Sequence, residues 1–397
     1  MKVIIHIVLL NTFLGFFMAS AIEKLPDISV DGRIRNIPIY VSSSNEWVKK
    51  VAQKAFSLHG AFDLRSSADN AYTLKFINIL DNEVYLELNN SKNVIELSAK
   101  GTDLKEAVLR SCDRVVESIL KIPSFFAGKI VFTGEKTGFK EIWQSDMLFY
   151  KVSALTQNRS DSLSPHWSPD GKKILYTTYF DSGFPDLFLI ENFMGVLKQR
   201  PFANFKGINT GGTYSPNGLS VAMVLTQLGN PEIHISNAKG KRIRRLTKNK
   251  SLETSPDWSP DNNRILFTSD SLGNPQLYVL NIPESSVERV KTGLSRYLDQ
   301  GDWNPLNPNL IAFTLLIEGK FQIGLFDMVR KKGKVLTKGS VDCEDPCWLN
   351  DGQHLIFTRK SKNYRQLYLL DSHSSKIVPL SSKDFGKASQ ADFIYLN

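Results

Sequence analysis

The sequence predicts two domains: a small α/β domain followed by an all-β six-bladed propeller closed by the C-terminal strand. Two ladders and a recurring turn predict the propeller. An aromatic anchor recurs at Trp167, Tyr214, Trp258, Trp303, Trp348 and Phe393, at intervals of 47, 44, 45, 45 and 45 residues. Half a repeat out of step, Ile142, Leu187, Ile233, Leu277, Ile323 and Leu367 recur at 45, 46, 44, 46 and 44 residues. Periods of about 40–50 residues with four strand-like runs each are the sequence sign of a propeller. The fullest copy of the turn is Ser164-Pro-His-Trp-Ser-Pro-Asp-Gly171. Proline presets φ and glycine tolerates positive φ, so the anchor leads into a hairpin.

The chain order begins with Lys2, an uncharged run from Val3 to Met18, and Ala19-Ser20-Ala21. This reads as a signal peptide over residues 1–21, with a mature, exported chain starting at Ile22. The run is short for a membrane span. Residues 22–34 form a tail broken by Pro26, Asp31 and Gly32. Its spaced apolar residues Leu25, Ile28 and Val30 suit addition to a partner's sheet edge, and a frayed terminus is the alternative.

Residues 35–125 read as the α/β domain. Ile37–Val41 is expected at a sheet edge because it carries Pro38. Ser43 and Glu46 form a capping box for a helix whose apolar face is Trp47, Val48, Val51, Ala52, Ala55 and Phe56. Residues 72–80, 83–88 and 94–97 are strands, with Asp81-Asn82 as a hairpin turn. A second helix spans 103–121, carries Cys112 on its core face and ends before Pro123. The propeller takes residues 126–397. Second strands start at Ile130, Ile174, Val221, Ile265, Ile311 and Leu355. The first lacks an inner strand before it, and Phe393 lacks a second strand after it. Residues 389–395 are therefore expected to close the ring, which removes an open edge.

Composition narrows the function. Among 397 residues the formal net charge is +9. The basic residues cluster on outer strands, as in Lys241-Arg-Ile-Arg-Arg245 and Lys331-Lys-Gly-Lys334. Lysine there guards an exposed edge. No nucleic-acid motif accompanies it, so no nucleic-acid partner is expected. The inner strands lean acidic: Glu253, Asp257, Asp299, Asp302, Asp342, Glu344, Asp345 and Asp392 lie within seven residues before an anchor. With His166 they are expected to line a channel mouth that attracts a basic partner surface or a divalent cation. The alternative turns alternate residues into the blades. No cofactor is otherwise expected. There is no G-x-S-x-G elbow, H-E-x-x-H, paired C-x-x-C or phosphate loop, so no enzyme is expected. The alternative is a secreted hydrolase or lyase using Asp299 with Asp302, or Glu344 with Asp345, as acid and base. Cys343 and Cys347 lie about 13 Å apart on a strand, too far for a disulfide.

The repeats carry a resemblance. Ser164–Gly171, and Ser255-Pro-Asp-Trp-Ser-Pro-Asp261 with Ile265-Leu-Phe-Thr-Ser-Asp270 and Gly273-Asn-Pro-Gln-Leu-Tyr278, resemble the repeats of the TolB family, the periplasmic propellers of the Tol–Pal system. The order of parts matches over essentially the whole mature chain. The sequence departs from the pattern at Tyr214-Ser-Pro-Asn-Gly218, Trp303-Asn-Pro-Leu306 and Trp348-Leu-Asn-Asp-Gly352, and its tail matches the family's box only loosely. The resemblance implies a periplasmic binding protein supporting outer-membrane integrity and constriction during division. It implies a Pal-like peptidoglycan-associated lipoprotein at the mouth. It also implies a TolA-like inner-membrane protein on the tail, through Ile22, Leu25, Ile28, Val30, Asp31 and Gly32.

Overall fold

The computed structural model describes residues 36–90, 93–193 and 196–396. The expected signal peptide and tail lie outside the described residues. No described helix is long and apolar enough to cross a membrane.

The α/β part is a five-stranded sheet with two helices. In chain order it runs β1 (Ile37–Ser43), α1 (Glu46–Leu58), β2 (Phe62–Leu64), β3 (Tyr72–Leu80), β4 (Glu83–Asn89), β5 (Val94–Lys100) and α2 (Leu104–Leu120). The sheet order is β2-β1-β3-β4-β5. Three expectations are corrected here. β1 is not an edge: it lies between β2 and β3. Pro38 is tolerated because pairing with β3 starts only at Ile39, while the Ile37 N–H turns the other way to Ala61 O at 2.7 Å. The cap of α1 is Asn45, whose side-chain oxygen accepts from Trp47 N and Val48 N. Trp47 is exposed rather than packed. The Asp81-Asn82 turn has φ of 45° and 63° at its two residues, the conformation that matches strand twist. Asp103 caps α2 and Cys112 is fully buried in the core.

The rest forms six four-stranded blades. Blade 1 spans Ser162–Ala203, blade 2 Asn209–Arg245, blade 3 Glu253–Arg289, blade 4 Leu298–Val335 and blade 5 Asp342–Pro379. Blade 6 joins the chain end to the chain's middle: Ala388–Ile394 pairs antiparallel with Lys129–Gly134. The anchor turn is stitched as the sequence implied. Gly171 (φ 66°) donates to Ser168 O at 2.8 Å, and Ser168 Oγ accepts from Lys173 N at 2.9 Å. The second ladder has a physical basis too. The N–H groups of Ile142, Ile233, Ile323 and Leu367 donate at 2.8–3.0 Å to hydroxyls of Thr156, Thr247, Thr337 and Ser381. These hydroxyls stop the outer strands while keeping a buried donor satisfied.

One continuous core joins the sheet, both helices and blades 5 and 6. Phe125 and Phe126 carry it across; Phe126 meets Phe56 edge-on at 5.5 Å. Asp113 of α2 accepts from Phe126 N (2.8 Å), Ala127 N (3.0 Å) and Tyr395 OH (2.9 Å). The carboxylate thus ties the connecting segment and the closing strand to one helix. The small sheet sits on the face of the propeller where the anchor turns lie, since Asn350 donates to Ser124 O at 2.9 Å. Among the described residues no further element packs on the opposite, open face.

Candidate functional site

The inner strands share a feature that decides which side chains line the channel. Ser164, Gly211, Ser255, Gln300, Asp345 and Gln390 all have φ between 49° and 63°. The pairing register shifts at each of them. Every inner strand therefore carries one bulge, and a bulge reverses the alternation of faces. The residue five positions before each anchor faces the blade: Ser162, Asn209, Glu253, Leu298, Cys343 and Ala388 are all buried. The residue before each anchor faces the channel: His166, Thr213, Asp257, Asp302, Cys347 and Asp392.

Glu253 is therefore not a mouth residue. It is fully buried, bonded to Asn249 Nδ2 and Ser269 Oγ, and burial pushes its carboxyl up to about 7 beside Glu232. Asp257, Asp302 and Asp392 are half-buried and form an inner ring. Each accepts a backbone N–H from the next blade's anchor: Asp257 from Trp303 (2.7 Å), Asp302 from Trp348 (2.6 Å) and Asp392 from Trp167 (2.6 Å). Withdrawal from water raises all three, Asp257 to about 7 and Asp302 well above the usual range, with repulsion from the other ring acids adding to it at Asp257 and Asp302. His166 opposes the rise at Asp392.

Asp299 and Glu344 sit near the strand starts, toward the open face, and Asp345 sits at the bulge of its strand. Asp299 accepts from Thr268 Oγ1 at 2.8 Å. Asp345 accepts from Gln300 Nε2 at 2.6 Å, and burial, then Glu344, pushes it up to about 6. The proposed acid–base pairs thus take separate hydrogen-bond partners. The sequence missed Lys360, which reaches Glu344 from the neighbouring strand at 3.2 Å and interrupts the acidic run. Among the described residues the channel acids do not bring three ligand atoms within 4.8 Å of one another, so a cation there would keep water ligands. The tail residues Ile22, Leu25, Ile28, Val30, Asp31 and Gly32 lie outside the described residues.

The open face carries a second signal. The hairpins and blade connections there expose Phe139, Phe180, Phe184, Ile208, Leu228, Leu252 and Leu272; Phe184 is 66% exposed. Apolar tips around a polar mouth mark an interaction surface. These residues fall in loops, where a sequence read for strand periodicity assigns them no face. A separate groove of about 580 Å³ lies beside the small sheet, lined by Trp47, Asp103, Leu104, Lys105 and Tyr150.

Residues 116–392 match the family described as the TolB beta propeller domain. The chain belongs to the TolB propeller family. TolB relatives agree over the shorter stretches they align. A Tol-Pal system protein TolB from Desulfosudis oleivorans is 33% identical over 153 residues, 38% of this chain and 33% of the relative. A TolB homolog from Chlorobaculum tepidum is 31% identical over 170 residues, 43% of this chain and 38% of the relative. The aligned stretches span about a third to two fifths of these TolB relatives. The TolB fold extends further than the sequence match. The crystal structure of TolB from Acinetobacter baumannii superposes with a TM-score of 0.81, covering 90% of this chain and 96% of that one at 20% identity.

Proposed function

We propose that this chain is a non-enzymatic periplasmic scaffold of the Tol–Pal system. A Pal-like lipoprotein binds at the open mouth, and a TolA-like inner-membrane protein binds the tail of residues 22–34. The signal peptide, 1–21, directs export, residues 35–125 and 126–397 act as the two domains, and the assembly supports outer-membrane integrity and constriction. The observation that carries this reading is the open face, where Asp299 and Glu344 sit inside a rim of exposed Phe184, Leu228 and Leu272. A partner with basic groups and an apolar collar fits it. Family membership and the names of the relatives point to the same system. The test is titration of a purified Pal-like soluble domain against the mature chain and against Asp299→Lys with Glu344→Lys. Loss of binding by the doubly substituted chain at unchanged melting temperature supports the reading. Equal binding removes the mouth from it.

The hydrolase or lyase alternative pairs Asp299 with Asp302, or Glu344 with Asp345; withdrawal from water raises Asp302 and Asp345. Asp302 is already engaged by the Trp348 N–H and Asp345 by the Gln300 amide, which accounts for them as ties between blades. Turnover of an oligosaccharide or peptide abolished by Asp302→Asn would restore that alternative.

A further inference from the structure

The joint between α1 and blade 5 holds a side-chain cluster that the scaffold reading does not use. His59 ends α1, Asp351 lies in the anchor turn of blade 5, His354 opens the next strand and Asp371 closes the third. All four side chains are 0–1% exposed. His59, Asp351 and His354 each offer a ligand atom within 4.8 Å of the other two. Asp371 Oδ2 lies 3.8 Å from His354 Nε2. The Nε2 atoms of both imidazoles are buried with no hydrogen-bond partner, a costly state that a ligand would relieve. The backbone is shaped to close on the cluster. A Cβ at Gly60 would fall 1.8 Å from Asp371 Oδ2, so only glycine lets the α1 loop approach that carboxylate.

Charge makes the same point. Two carboxylates are buried together here. Lys376 bonds His59 O at 3.5 Å and Lys334 bonds Ser372 O at 2.9 Å, so both ammonium groups sit on backbone carbonyls. A proton on His354, bonded to Asp351 at 2.5 Å, offsets one negative charge. A dication with two neutral imidazoles offsets both, and buried charge is tolerated only when matched.

We propose that this joint is a divalent transition-metal site, taking Zn²⁺ or a similar ion on the Nε2 atoms of His59 and His354 and on Asp371, while Asp351 holds the other nitrogen of His354. Two imidazoles and a carboxylate suit an ion that prefers nitrogen and oxygen ligands, and a carboxylate behind a ligating imidazole fixes the ring as such sites require. His59 Nδ1 accepts the Ala61 N–H at 3.2 Å, which leaves Nε2 on the side of His354 without a partner. Ligation through Nε2 places the ring hydrogen on Nδ1, and a metal takes imidazole only in its neutral form. Binding therefore strengthens as pH rises. The ion staples α1 to blade 5 and holds the small sheet on the propeller.

The test uses the untagged mature chain stripped with chelator, then titrated with Co²⁺ and Zn²⁺ at about pH 7.5 and about pH 6. The site predicts one equivalent of Co²⁺ with a four-coordinate visible spectrum, displaced by Zn²⁺ and weaker at the lower pH. It predicts a Zn²⁺-dependent rise in melting temperature that His59→Gln loses, with affinity down roughly 100-fold, while His166→Gln behaves as wild type. Three results overturn it. One is no saturable one-equivalent uptake by the folded wild type, whatever the variants do. Another is unchanged affinity in a folded His59→Gln chain. The third is loss of binding in His166→Gln, which would put the ion in the channel.

Discussion

Replacing Asp257 by Asn should stabilise the protein, by an amount set by pH. In the folded chain Asp257 keeps its proton up to about pH 7, against an ordinary 3.8, because the channel wall withdraws it from water. Its folded-state pKa is raised, so the stability linked to that proton is complete below about pH 3.8 and is lost as pH rises through about 7. At 1.36 kcal/mol per pH unit the difference is about 4 kcal/mol at pH 8 and near zero at pH 4. Asparagine never ionises, and its side-chain oxygen still accepts the Trp303 N–H. The variant escapes the penalty without losing the bond. The described residues run from 36 to 396. At about 2.1 cal/mol/K per residue, the expected gain in melting temperature at pH 8 is about 5–6 °C. Scanning calorimetry of both chains at pH 4 and pH 8 measures it. A variant less stable than wild type at pH 8 would refute the reasoning. It would mean that Asp257 is ionised and that its bond to Trp303 draws on that charge.

Three further outcomes follow from the packing. Gly60→Ala forces a methyl against Asp371, so urea unfolding should show a loss of roughly 1–3 kcal/mol, the usual range for overpacking. Asp113→Ala leaves the Phe126 and Ala127 amides without their acceptor beneath the closing strand. A loss of about 2–6 kcal/mol by urea titration is expected, from about 1–3 kcal/mol for each of the two orphaned amides. Phe184→Asp, on an exposed tip, should leave the melting temperature within about 1 °C and weaken a mouth-bound Pal-like partner at least tenfold.

The repeat made the architecture legible. Six copies of an anchor turn average out local ambiguity, and the unmatched strands at Ile130 and Phe393 announced their pairing before any coordinates. The site was less legible because of the bulges. In a regular strand Glu253 and Asp257, four apart, share a face, while Asp299 and Asp302, three apart, do not. The left-handed residue at Ser255 and at Gln300 inverts both relations, which buries Glu253 and brings Asp299 and Asp302 to one side. Glycine marks such a bulge only at Gly211; at the other five positions Ser, Gln or Asp hides it. Lys360 escaped notice for a different reason. It meets Glu344 through strand pairing at a separation of 16 residues, a contact that no local pattern encodes. The His59–His354 joint is more remote still, since its ligands come from two parts of the chain that only the fold brings together.

The central claim is that this propeller engages two envelope partners through separate surfaces. The most direct measurement is a pull-down from solubilised envelope with the mature chain 22–397 and with a chain lacking residues 22–34, identifying bound proteins by mass spectrometry. The account predicts that both recover a peptidoglycan-associated lipoprotein and that only the longer chain recovers a TolA-like protein. Recovery of neither by either chain would contradict it.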